Sequence, residues 1–338
     1  MPLPERELIA NLRRLVSSAD AGRVTAGAKP AISVGMGDDC AVLRMGSAFD
    51  CLVTTDFSLE GIHFRRNWHA PQSVGHRCLA RGLSDIAAMG GQPLAAFLSL
   101  AVPGTLPQSW VSAFFRGLLR LAKQHHVTLA GGDTAASPNG VLADIVVLGT
   151  VPRDRAILRS GARPGDRIFV SGTLGGSAAA FIRLSTQPRK KADERHFARH
   201  FYPEPRIQLG RMLRERKIAT AMIDTSDGLS TDLTHICDES GVGAEIDASQ
   251  IPCARVGQPP RPVDLDLALH GGEDYELLFT ASVRGRAPRT VAGVALTEIG
   301  RITSSRKIIL RMIDGKTHPL KPRGWEHFRK TASGGHAG

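Results

Sequence analysis

What the sequence has little of narrows the choice first. Aromatic residues are 5% of the 338 positions, too few to build the stacking platforms on which single strands of nucleic acid lie. The five cysteines, at positions 40, 51, 78, 237 and 253, form no C-x-x-C pair and have no histidine at zinc spacing. That excludes a disulfide framework and a zinc finger and leaves reduced, mostly buried thiols. Apolar runs such as residues 94–98 fall far short of the roughly 20 residues that span a bilayer. The opening MPLPERELIA carries no apolar run after its charges, so it does not read as a secretory signal. A cytoplasmic protein is expected. The common nucleotide motifs are missing too. Gly315-Lys316-Thr317 resembles the end of a phosphate-binding loop, but that loop needs glycine five residues before Gly315, where Leu310 stands. Ile313-Asp314-Gly315-Lys316 reads instead as a hairpin turn. No protein-kinase catalytic loop is present.

What is there is a basic globular chain. Lysine plus arginine exceed aspartate plus glutamate by 43 − 32 = 11. The basic residues are scattered or gather at 189–195 and 321–330, without interleaved aromatics, which favours anionic, phosphorylated ligands over nucleic acid. With 42% apolar residues the chain can bury a sizeable core, and its length suits about two domains.

The stretch from Ala221 to Cys237 organises the rest. Ala221, Met222 and Ile223 are a short apolar run, and Leu229, Leu233, Ile236 and Cys237 recur at helical spacing, so the order is strand, turn, helix. Asp224, Ser226 and Asp227 lie in the turn, followed by Gly228. A helix cap explains one such aspartate. The arrangement recurs, however, at Thr54-Thr55-Asp56 after the run 51–53, at Gly131-Gly132-Asp133, at Gly37-Asp38-Asp39 and at Ser84-Asp85.

Along the chain, residues 3–16 place Leu8, Ile9, Leu12, Leu15 and Val16 on one helical face. A helix opens near Pro71, with Leu79, Leu83, Ile86 and Gly90 as its buried stripe and Asp85 off it. Strands follow at 96–102 and 144–151, with a helix at 110–123 between them. The Pro-, Gly- and Arg-rich segment 152–166 marks a boundary. Residues 167–171 read as a strand running into Gly172-Thr173-Leu174-Gly175-Gly176-Ser177, either a phosphate loop or a hinge, before a helix at 178–184. The basic stretch 189–200 reads as solvated, and a strand at 275–280 follows Gly271-Gly272-Glu273-Asp274. Residues after 331 have the composition of a disordered tail. Alternating strands and helices predict an α/β or α+β protein.

Aspartates and threonine hydroxyls at strand ends suit magnesium, which takes hard oxygen ligands from one or two carboxylates, water and substrate phosphates. Several such carboxylates suggest several ions shared with a nucleoside triphosphate, and phosphoryl transfer by positioning and charge neutralisation.

Six motifs occur in order: Gly35-Met36-Gly37-Asp38-Asp39-Cys40-Ala41; Thr54-Thr55-Asp56; Leu83-Ser84-Asp85-Ile86-Ala87-Ala88-Met89-Gly90; Gly131-Gly132-Asp133-Thr134; Asp224-Thr225-Ser226-Asp227-Gly228-Leu229; and Gly271-Gly272-Glu273-Asp274-Tyr275-Glu276-Leu277. Together, over residues 30–328, they resemble the thiamine-monophosphate kinase family, in the superfamily of aminoimidazole ribonucleotide synthetase and selenophosphate synthetase. The resemblance implies a two-domain α/β (α+β) fold. Residues 1–151 would form an ATP- and magnesium-binding sheet domain that dimerises, residues 152–330 an α/β domain completing the site, and 331–338 the disordered tail. It implies an ATP-dependent kinase, a homodimer, that converts thiamine monophosphate to thiamine diphosphate. Asp39, Thr54, Thr55, Asp56, Asp85, Asp133, Asp224 and Asp227 would hold magnesium ions. Gly132, Asp133, Arg159 and Ser226 would contact ATP, and His63, Glu273 and Trp325 the thiamine phosphate.

The chemistry expected is direct transfer without a phosphoenzyme. A phosphate monoester has a second pKa of about 6, so at neutral pH the acceptor is mostly a competent dianion. His63 would orient substrate rather than attack, and Glu273, beside two glycines at a strand entrance, could pair with the cationic thiazolium ring. Two alternatives differ in class. A sister synthetase would release ADP only with another acceptor, and a basic nucleic-acid-binding protein would show salt-sensitive retention and no ATP turnover.

Overall fold

The computed structural model describes residues 3–20, 31–187, 189–190, 193–283, 285 and 287–326. The tail expected after 331 lies outside them. The first half runs α1 (Glu5–Asp20), β1 (Ile32–Val34), β2 (Ala41–Arg44), β3 (Phe49–Leu59), α2 (Pro71–Ala88), β4 (Gln92–Val102), α3 (Gln108–Gln124), β5 (Thr128–Ala136) and β6 (Leu142–Pro152). Its strands form one six-stranded sheet, ordered β1-β2-β3-β6-β4-β5. β4 and β5 are parallel, joined by crossover helix α3, and the other pairs are antiparallel.

The second half runs β7 (Arg167–Ser171), α4 (Gly176–Thr186), α5 (Asp193–His196), α6 (Ala198–Phe201), α7 (Ile207–Glu215), β8 (Ala219–Asp224), α8 (Leu229–Ser240), β9 (Gly243–Asp247), β10 (Arg255–Val256), β11 (Arg261–Pro262), α9 (Leu265–His270), β12 (Leu277–Ala281), β13 (Thr290–Val291), β14 (Val294–Thr303), β15 (Ile308–Arg311) and β16 (Thr317–Pro319). Its main sheet is ordered β16-β15-β9-β14-β7-β12-β8, with β13 attached to β14, and β10–β11 form a separate ribbon. The turn expected at residues 313–316 connects β15 to β16, with Gly315 at φ +82°.

Helix α2 is the pivot. Pro71 occupies its first turn, where the missing N–H costs nothing. The helix is buried almost all round, between the first sheet, α3, α7 and β8. Glycines let the backbones meet: a Cβ on Gly75 would collide with the Phe114 carbonyl of α3, one on Gly117 with the Gln72 carbonyl, and one on Gly210 of α7 with the Ala87 carbonyl. One hydrophobic core therefore runs from Leu52, Leu83 and Ile145 of the first half into Leu213, Met222 and Phe279 of the second.

The amphipathic helix expected at 3–16 forms as α1, its apolar residues Ile9, Leu12, Leu15 and Val16 exposed. Two expectations need correction. The stretch 189–200 is not wholly solvated: Asp193 and His200 are buried, because Phe197 and Phe201 pack with Ala180 and Leu184 of α4 and draw their neighbours in. Asp85, off the predicted stripe, is not turned to water, because that face of α2 meets the second half.

Candidate active site

A cleft of about 940 Å³ opens between the two sheets. Its floor is acidic. Asp39 precedes β2, Asp85 projects from α2, and Asp224 ends β8; one oxygen of each lies within 4.8 Å of the others. Each is held from outside the cluster. Thr54 donates its hydroxyl to Asp85, Ser84 Oγ donates to Asp224 Oδ2 at 2.6 Å, and Arg159 Nη2 donates to Asp39 Oδ1 at 2.7 Å. The Arg159 amide donates to Asp38 at 3.0 Å. Asp39 Oδ2 is buried with no hydrogen-bond partner among the described residues.

Such crowding disfavours ionisation. Burial, then the charge of Asp39, pushes Asp38 and Asp224 up to about 7. Burial, then the charge of Glu5, raises Asp227 to about 6. Burial, then Asp56, Asp224 and Asp39, holds Asp85 well above the carboxylate range. Buried hard oxygens short of positive charge, one of them idle, are the donor set a divalent cation such as magnesium fits.

Around the floor, the turn after β8 carries Ser226 and Asp227. Neither side chain caps α8. Its N-cap is Gly228, whose φ of +113° suits glycine, and the Gly228 amide donates to Asp232 within the helix. The turn is clamped by the chain facing it: the Glu273 amide donates to Ser226 O at 2.8 Å, and the Trp325 amide to Asp227 O at 3.1 Å. Glu273 and Tyr275 take left-handed φ values of +63° and +51°, a strained backbone of the kind found at functional sites. In the glycine-rich bend 172–177 the Gly175 and Ser177 amides donate to Asp274, at 2.6 and 3.2 Å, so a carboxylate of the chain already takes the place a phosphate would use.

The structure gathers most of the expected residues. Asp39, Thr54, Thr55, Asp56, Asp85, Asp224, Asp227, Arg159, Ser226, His63, Glu273 and Trp325 all line the cleft. Two details differ from expectation. Strand alternation turns the Thr55 side chain to the opposite sheet face, where it donates to Asp144 at 2.7 Å. Glu273 is already met by Arg77 at 2.7 Å and Arg81 at 3.4 Å, so a cationic ring would compete with two guanidiniums. Gly132 and Asp133 do not reach the cleft. They lie on β5, and the register Asp56–Ile145–Leu98–Gly132 sets them three strands from Asp56, about 14 Å at 4.8 Å per strand.

Sequence reading missed Arg77 and Arg81, although Arg77, Arg81 and Asp85 stand four residues apart on α2, the spacing of one helical face. It also missed an apolar wall made by Ile62, Phe181 and Ile182, all exposed. Those three residues carry no motif and meet only in the fold.

Comparison with known proteins gives a consistent picture. Residues 37–151 match the family described as AIR synthase related protein, N-terminal domain, and residues 163–313 its C-terminal domain. The thiamine-monophosphate kinase of Bacillus subtilis is 35% identical over 308 residues, 88% of this chain and 94% of that protein. That of Escherichia coli is 38% identical over 309 residues, covering 88% and 92%. A solved structure described as AaThiL complexed with AMPPCP and TMP superposes with a TM-score of 0.79 at 32% identity, covering 97% of this chain and 99% of the other.

Proposed function

Because the chain belongs to the thiamine-monophosphate kinases, a branch of the AIR synthase related proteins, we infer that it transfers the γ-phosphoryl group of ATP to thiamine monophosphate, giving thiamine diphosphate. The observation that carries the reading is the trio of buried Asp39 and Asp224 with half-buried Asp85 at the floor of the inter-sheet cleft.

Those three carboxylates, with Thr54, Asp56 and Asp227 beside them, are the residues that would hold magnesium. Thr55, turned to the other sheet face, and Asp133, on the edge strand β5, to which the resemblance also gives a metal role, stand apart from that set within one chain. When bound, magnesium supplies the charge that lets two polyphosphate anions approach. Arg159 and Ser226 stand where they can take nucleotide phosphates. His63 accepts the Leu59 amide at Nδ1, 3.0 Å away, which in the neutral ring leaves the proton on Nε2. It therefore offers substrate a donor rather than a nucleophilic lone pair. The acceptor phosphate, mostly a dianion at neutral pH, attacks without a dedicated base. The apolar wall and half-exposed Trp325 give the rings of thiamine surface to cover.

The same reading takes residues 1–151 as the nucleotide-binding half and 152–330 as the half that completes the site. It also includes a homodimer through the first sheet. Edge strand β5 is exposed along nearly its whole length, and Phe57, Leu94 and Phe97 leave apolar side chains at the surface of its sheet. Gly132 and Asp133 lie on that strand, so the nucleotide contacts implied for them are tied to the dimer. No helix among the described residues is long and apolar enough to cross a membrane; with ATP as co-substrate, the reading places the enzyme in the cytoplasm.

The test is ADP release from magnesium-ATP with and without thiamine monophosphate, with the product weighed by mass spectrometry. ADP and thiamine diphosphate in equal amounts, lost in Asp56→Asn or Asp227→Asn, are expected. ADP release without that product moves the chain to a sister activity, and a phosphohistidine trapped at His63 defeats direct transfer.

A further inference from the structure

The carboxylates of the cleft are met by three guanidiniums, those of Arg77, Arg81 and Arg159, and the functional reading above uses only Arg159. Arg81 is held by longer contacts than the other two. Arg159 reaches Asp39, and Arg77 reaches Glu273, each at 2.7 Å, the usual length of a charge-assisted hydrogen bond. Arg81 stands between Asp56 and Glu273 at 3.3 and 3.4 Å, long for such bonds. Its Nε, like that of Arg159, is buried and finds no hydrogen-bond partner among the described residues, so the long contacts of its Nη atoms are what set it apart. Its side chain faces both the main cleft and a small recess shared with Ser58, His63, Phe64, Val74 and Arg77. A guanidinium has five N–H donors in a planar fork. Here two are loosely used, and the one nearest the stem is idle although buried, an arrangement that leaves a hydrogen bond to be made.

We propose that Arg81 is the docking residue for the phosphate of the acceptor, which it grips through Nε–H and one Nη–H. A monophosphate presents paired oxygens that match the fork. The place is right for the acceptor. Arg81 lies one helical turn before Asp85, beside His63, so a phosphate on it sits next to the acidic floor, while Arg159 contacts the far side of that floor through Asp38 and Asp39. Approach to six acidic groups, Asp39, Asp56, Asp85, Asp224, Asp227 and Glu273, needs a resident cation, and Arg81 meets the incoming anion without giving up a short ion pair. A second consequence follows from the Asp56 contact: Arg81 and a divalent cation compete for the same carboxylate in the empty enzyme.

This inference rests on the kinase reading, and the experiment separates the two. In Arg81→Gln, KM for thiamine monophosphate is expected to rise about ten- to a hundredfold, the loss of a charge-assisted bond, while KM for ATP stays within about threefold. Mn²⁺ binding to the nucleotide-free variant, read by electron paramagnetic resonance, is expected to tighten about two- to fivefold as the competing charge is removed. Arg81→Lys keeps the charge without the fork and should fall between; it also serves if the glutamine variant fails to fold. A KM for thiamine monophosphate unchanged in a folded variant, or both KM values rising together, overturns the proposal, because an arginine that only braces α2 would lower kcat and melting temperature instead. If the wild-type protein makes no thiamine diphosphate, the kinase reading fails by itself. Arg81 is then judged by calorimetric binding of inorganic phosphate, which must weaken in Arg81→Gln for the proposal to stand.

Discussion

Replacing Asp224 by asparagine is expected to stabilise the metal-free protein while removing its response to magnesium. Asp224 is buried at the end of β8, and burial followed by the charge of Asp39 lifts its carboxyl from 3.8 to about 7. A carboxyl raised in the folded state prefers its proton there. Its contribution is fully present below about pH 4 and is lost as pH climbs through about 7. At 1.36 kcal/mol per pH unit, ionising Asp224 costs the folded state about 4 kcal/mol at pH 8. That cost is shared with Asp39 and Asp85, so neutralising one member is expected to recover about half, roughly 2 kcal/mol. Asparagine keeps the shape and can still accept the Ser84 hydroxyl, now at 2.6 Å. For a chain of this size the gain corresponds to about 3 °C in Tm. The assay is thermal unfolding at pH 8 in EDTA and then in magnesium, beside turnover. The variant should melt about 3 °C higher in EDTA, show little magnesium shift and turn over at least about a hundredfold more slowly, since charge neutralisation supplies several kcal/mol to the reaction. A lower Tm in EDTA, or an undiminished magnesium shift, would refute the reasoning.

In the wild-type protein, the stability that protonated Asp38, Asp224 and Asp227 contribute is lost from about pH 4 to about pH 7, so the Tm advantage of Asp224→Asn in EDTA should grow across that window and level off above it; an advantage independent of pH contradicts this. Below about pH 6.5 the histidines pull the other way, because burial holds His69 and His235 down at about 3 and His76 at about 4. Depressed histidines lose stability as pH falls, so acid unfolding should be delayed in His235→Gln. Gly117→Ala drives a methyl into the Gln72 carbonyl at the α2–α3 crossing and should cost about 3 kcal/mol, read as a shifted urea midpoint. Phe181→Ala thins the apolar wall and should raise KM for thiamine monophosphate about tenfold with KM for ATP nearly unchanged; equal rises would place Phe181 elsewhere in the reaction.

The ordered aspartate motifs were legible because they are local. An apolar run, a turn and a helical period put Asp224 at a strand end and Asp227 in the turn after it, and Asp39 just ahead of a strand; Asp56, expected to end its strand, lies within β3, which runs on to Leu59. Register and facing were not legible. Period-2 alternation sends Thr54 toward α2 and its neighbour Thr55 to the open sheet face, and nothing within the motif separates the two. Asp133 carried a motif as good as the others, yet strand order leaves it at the sheet edge. The stripe on α1 was correctly read as a helix face, but a hydrophobic period states that a face exists, not that something covers it.

The sequence by itself determined the two-part α/β organisation, the family and the class of chemistry, because strand and helix periods and turn residues act between near neighbours. The tertiary structure decided which carboxylates share a cation site and which arginines answer them. Asp39, Asp85 and Asp224 are separated by 46 and 139 residues along the chain, and they meet because three glycines at backbone crossings let α2 sink between the two sheets. That burial also raises their pKa values and leaves Arg81 with a donor to spare, effects of desolvation and long-range packing that no local pattern encodes.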